Sequence, residues 1–96
     1  MKTVEGNEVS GAADLVAAQP MLPDKRIDCI GFFYPIPIVN TREALRPMAV
    51  GQVLEVLSDD PGSDPDMKSW VRRTGNELLE ITKNEAVYHF LVRKIR

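Results

Sequence analysis

From Lys25 onward, apolar residues recur either at every second position or at every third to fourth, and the two periods alternate in short blocks. Lys25 to Ile30 alternates apolar and polar residues up to Gly31, the pattern of a short strand ending in a turn. Pro35 and Pro37 bracket the start of a helix, because proline is tolerated only in a first turn. Ile38, Thr41, Leu45 and Met48 then follow at helical spacing as one core-facing stripe, leaving Asn40, Arg42, Glu43 and Arg46 to look outward. Gly51 closes this crossover. Val53 to Leu57 is a strand with apolar residues on both faces, which predicts a central position.

Ser58-Asp59-Asp60-Pro61-Gly62 reads as a loop, with Asp64 as the N-cap of a second helix and Pro65 as its first residue. Met67, Trp70, Val71 and Thr74 form its buried stripe, and Gly75 sits where helices commonly end in a left-handed residue. Glu77 to Thr82 alternates as a third strand, Lys83-Asn84-Glu85 turns the chain, and the last strand puts Tyr88, Phe90 and Val92 on one face and His89, Leu91 and Arg93 on the other. The order is βαβαββ. Right-handed crossovers put both helices on one side of a mixed four-stranded sheet, so the predicted fold is α/β in the α+β sense, a two-layer α/β sandwich. The opposite sheet face is left partly bare, which predicts a monomer or a weak homodimer.

Residues 1–24 differ from the rest. They are rich in Gly and Ala, carry one basic and four acidic side chains, and end in Pro20-Met21-Leu22-Pro23, whereas 25–96 hold eleven basic and ten acidic residues. The predicted organisation is a flexible acidic tail over 1–24 and one folded domain over 25–96, since 96 residues are too few for two separate cores. The net charge of −2 argues against a domain that grips nucleic acid by charge alone. No apolar run approaches the roughly 20 residues of a membrane span. Nor does the N-terminus have the pattern of a secretory leader, so no membrane role and a cytoplasmic location are expected.

The chemistry is sparse. One cysteine, Cys29, and one histidine, His89, exclude an internal disulfide and a Cys/His metal cluster, so no metal or other cofactor is expected. There is no Gly-rich phosphate loop and no Ser–His–Asp set, which removes kinase, nucleotide-cofactor and hydrolase readings. Asp59-Asp60 reads as turn and capping chemistry before Pro-Gly rather than as a carboxylate pair for catalysis or metal, and both residues count among the binding candidates. Phe32, Phe33 and Tyr34 make an aromatic loop in a chain with six aromatic residues in all, a binding candidate with Pro35 and Pro37 beside it. Arg42, Arg46, Lys68, Arg72 and Arg73 are candidates for a basic patch on the outer helix faces, suited to an acidic partner or an RNA backbone.

The ordered set Asp28-x-x-Gly31-x-x-Tyr34-Pro35-x-Pro37, Thr41, Leu45, Gly51, Asp59-Asp60-Pro61, Trp70, Gly75, Leu78-Leu79 and Tyr88-x-Phe90 resembles the TusA/SirA family of small sulfur-carrier proteins, from about Ile27 to Lys94. The resemblance implies a persulfide relay, in which a cysteine directly before the first proline of Cys-Pro-x-Pro receives sulfane sulfur and passes it to a partner. It also implies partners among sulfur-trafficking or redox proteins, and tRNA as a further contact. A thiol at a helix N-terminus feels the helix dipole and free backbone N–H groups, which favour thiolate.

Tyr34 stands at that cysteine's position. A phenol has no sulfur to extend and cannot form a persulfide. The expected function is therefore that of a non-thiol family member acting by binding partner proteins. Two alternatives stand beside it: an active sulfur carrier or sulfurtransferase, using Cys29 or an original cysteine at position 34, and a regulatory or RNA-contacting adaptor using Arg42 and Arg46. Cys29, in the first strand on the same face as Ile27, is expected to pack as a small buried hydrophobe. Asn76, after Gly75, occupies a position where many relatives have histidine.

Overall fold

The computed structural model describes residues 22–96, so the tail expected over 1–24 lies outside the described residues for 1–21. The elements are β1 (Lys25–Asp28), α1 (Ile36–Leu45), β2 (Val53–Ser58), α2 (Ser63–Thr74), β3 (Glu77–Asn84) and β4 (Val87–Arg93). They form a mixed four-stranded sheet in the order β1-β2-β4-β3, with β1 parallel to β2 and the other two pairings antiparallel. This is the expected α+β sandwich, with β2 in the central position its two-sided apolar pattern implies. Leu54, Val56, Phe90 and Val92 face the helices and pack with Ala44, Leu45, Met67, Trp70 and Val71 into one core.

Element ends depart from the sequence reading for local reasons. β1 stops at Asp28 rather than Ile30, because the Asp28 carboxylate accepts the Ile30 N–H at 2.9 Å and Gly31 turns the chain at φ 90°. α1 stops at Leu45, short of Met48, since Pro47 has no N–H to continue the ladder. Met48 still packs against the core from the following turn. Asn40 does not look outward; it is half-buried, with its Nδ2 donating to Cys29 Sγ at 3.7 Å. α2 begins at Ser63 with Gly62 as N-cap rather than at Asp64, because the Asp60 backbone carbonyl already accepts from both Ser63 N–H and Ser63 Oγ. Gly75 ends α2 in the left-handed region at φ 82°, as expected. β3 runs on to Asn84 and carries an irregularity at Leu79, between Leu78 and Glu80.

The sheet face away from the helices is laced with charge. Arg26 Nε donates to Glu55 at 2.8 Å, His89 Nδ1 lies 3.0 Å from the same carboxylate, and Arg93 pairs with Glu77 at 3.2 Å. A carboxylate only accepts, so His89 carries its proton on Nδ1. His89 is thus a partner of Glu55. Burial works to raise the Glu55 carboxyl pKa, but the bonds from His89 and Arg26 outweigh it and hold the group below its ordinary value. The unfolded chain therefore takes up this proton first as pH falls. Stability present above the ordinary glutamate value is lost as pH drops through and below it. Replacing Glu55 by Gln is expected to flatten the acid limb of the urea midpoint plotted against pH, and an unchanged limb would refute the linkage.

Candidate functional site

The aromatic residues sit where β1 hands over to α1. Between them the chain has too few residues for regular structure, and its backbone groups are tied individually. Phe32 N–H donates to the Cys29 carbonyl at 3.2 Å and Ile36 N–H to the Phe33 carbonyl at 2.8 Å. Two further bonds come from the β2–α2 loop: Gly31 N–H donates to the Asp59 carboxylate at 2.9 Å and Tyr34 N–H to the Asp60 carboxylate at 3.1 Å. Asp60 also accepts the Gly62 N–H at 3.1 Å. The two aspartates are thus loop and capping devices, as their sequence context implied, and in addition they clamp the aromatic loop against the start of α2.

Held this way, Phe32, Phe33 and Tyr34 point outward. They are 49%, 73% and 68% exposed, with Ile30 and Ile36 also exposed beside them. Pro35 is the N-cap of α1, follows a cis Tyr34–Pro35 peptide and is exposed, whereas Pro37 is buried under Thr41, whose hydroxyl donates to its carbonyl at 2.7 Å. The first turn of α1 offers fewer free donors than a helix start usually does. Neither proline has an N–H and Ile36 is already bonded, so among the described hydrogen bonds Ile38 N–H is left without an acceptor.

A cavity of about 260 Å³ opens beside this tip, lined by Tyr34, Pro35 and Ile38 on one side and Asp66, Ser69 and Arg73 of α2 on the other. Asp66 and Ser69 were not singled out from the sequence. Their spacing with Arg73 does put all three on one face of α2, which is the signal that would have found them. The basic patch expected on the outer helix faces divides. Arg73 belongs to this cavity, with its guanidinium on Ser69 Oγ at 3.3 Å, and Lys68 pairs with Asp64 at 2.8 Å. Arg42 and Arg46 both pair with Glu43 and line a different cavity. The structure therefore brings Tyr34, Pro35, Phe32, Phe33, Asp59 and Asp60 together, and leaves Arg42 and Arg46 outside that group.

Cys29 lies just past the end of β1 with no exposed surface. Burial pushes its thiol pKa above the ordinary value. The Asn40 amide works in the opposite direction and the Asp28 carboxylate adds to the rise. Among the described residues no three His, Cys, Asp or Glu side chains stand close enough to hold a metal ion, and no helix is long and apolar enough to cross a membrane.

The sequence model of the family described as "Sulfurtransferase TusA" matches residues 25–94. A sulfur carrier protein TusA from Allochromatium vinosum is 39% identical over 71 residues, covering 74% of this chain and 93% of that protein. A putative sulfur carrier protein from Archaeoglobus fulgidus is 37% identical over 73 residues, covering 75% of this chain and 95% of that protein. Among solved structures, a SirA-like protein from Desulfitobacterium hafniense superimposes with a TM-score of 0.65 at 24% identity, over 75% of this chain and 99% of that one; this likeness speaks for the fold.

Proposed function

The chain belongs to the TusA sulfurtransferase family, and within it we propose a non-thiol member that acts by docking partner proteins of sulfur trafficking. One observation carries the reading. The residue before Pro35 is a tyrosine, 68% exposed at the family's transfer position, while the single thiol of the chain, Cys29, has no exposed surface. Phenolic oxygen cannot hold sulfane sulfur. A buried thiol with a raised pKa lacks both the access and the thiolate fraction that exchange requires.

The remaining features suit recognition. Docking interfaces draw most of their energy from a few aromatic anchors. Here three such side chains are presented on a loop whose backbone is already fixed by Asp59 and Asp60, so less conformational freedom is lost on association. Asp66, Ser69 and Arg73 supply a polar rim next to the anchors.

The test is sulfur loading of the wild-type protein. Incubated with a persulfidated donor, or with a cysteine desulfurase and labelled cysteine, the chain is expected to retain no label on a gel without reductant and to gain no mass of about 32 Da, one sulfur. Cys29 is expected to alkylate slowly in the native protein and rapidly in urea. A reducible sulfane adduct on the native chain would overturn the proposal.

A further inference from the structure

The second cavity, about 290 Å³, lies at the other end of α1 and takes no part in the aromatic loop. Arg42 reaches it from α1, Arg46 from the C-cap of that helix, and Lys94 and Arg96 from the segment after β4; Trp70 and Asn76 are also in the wall. No Asp or Glu side chain lines it. In a chain with net charge −2, four converging cations form a local inversion of the overall field.

Part of this charge has a structural task. Lys94 Nζ donates to the carbonyls of Arg46 and Met48 at 2.9 and 2.7 Å, closing the exposed end of α1. Glu43 answers both Arg42 and Arg46, at 3.2 and 3.4 Å, with one negative charge for two positive ones. Arg96 has no ionic partner among the described residues, and it is placed by design of the chain. The Asn76 side-chain carbonyl accepts the N–H groups of Ile95 and Arg96 at 2.8 and 3.1 Å. The guanidinium arm then lies over Gly75, where a β-carbon would stand 2.6 Å from its Nε. Gly75 is required by its left-handed backbone, and the absence of a side chain there leaves the space in which the Arg96 arm lies.

The structure assigns this cavity as a binding site for a compact phosphate-bearing ligand. Guanidinium forks match tetrahedral oxyanions bidentately, which ammonium groups do not. The volume lies just below the usual range of about 300–1,000 Å³ for small-molecule sites, and the cations line one hollow from separate elements, a shape suited to a diphosphate-sized group more than to an extended nucleic-acid backbone.

Trp70 is the only tryptophan and sits in the wall, so it reports occupancy directly. Titrating the full chain with inorganic pyrophosphate at low ionic strength is expected to give a saturable change in Trp70 emission. Arg96→Gln, and separately the pair Arg42→Gln with Arg46→Gln, are expected to weaken binding about tenfold or more. Lys68→Gln with Arg73→Gln should leave it unchanged, with circular dichroism confirming that every variant is folded. A non-saturable response, or equal weakening by the Lys68 and Arg73 pair, would show diffuse charge and overturn the assignment. So would a response to single-stranded RNA with none to pyrophosphate.

Discussion

A Tyr34→Cys variant is expected to take up and keep sulfane sulfur at residue 34, where the wild-type chain takes none. The introduced thiolate attacks the outer sulfur of a donor persulfide, the donor thiolate leaves, and a new persulfide remains on the variant; no external oxidant is consumed. Two opposing fields set how much thiolate is present. The α1 dipole and the Ile38 N–H favour it, an effect of about 0.3–1 kcal/mol, or less than one pKa unit. The Asp60 carboxylate, 3.1 Å from the backbone nitrogen of residue 34, opposes it. The net shift is therefore small, and loading should rise with pH through the range of an ordinary cysteine. Mass analysis placing the adduct on residue 34, with Cys29 unmodified, is the expected result. A folded variant that stays unlabelled would mean that more than the sulfur atom has been lost from this site.

The same loop shows what the sequence made legible and what it did not. Alternation and helical spacing placed all six elements, because each buries one face against a common core and the period of that burial is local. The ends were set by single backbone groups instead: Pro47 lacking a donor, Asp28 capturing Ile30 N–H, Asp60 capturing Ser63. At the site, Tyr34, Phe32 and Phe33 could be singled out because aromatic residues are scarce in this chain. That Asp59 and Asp60 hold them could not be read, since the contacts span 28 and 26 residues and depend on β1 pairing with β2 in one register. Asn40 escaped for a related reason. A polar residue on a helix is assigned outward by pattern, yet here it turns inward onto the buried Cys29 sulfur.

Aromatic residues on the two sides of this architecture should respond to truncation in opposite ways. Phe90 has no exposed surface; it pairs with Val56 on β2 and Ile81 on β3 and packs beneath both helices. Phe90→Ala is expected to cost about 3–5 kcal/mol, through lost transfer energy and the cavity left behind. Against a total of about 5–15 kcal/mol for a domain, that is about a fifth of the stability or more. The melting temperature should fall by at least about 12 °C for a domain of this size. Phe33 is 73% exposed, and Phe33→Ala should leave the unfolding free energy from urea titration within about 0.5 kcal/mol of wild type. A large apolar ring that faces water, and that is expected to contribute little to folding, is free for the docking proposed above. Should Phe33→Ala destabilise the domain as Phe90→Ala does, the loop would be part of the core and its role as an anchor would fall. If only Phe90→Ala destabilises, loss of partner capture by the folded Phe33→Ala protein can be read as recognition alone.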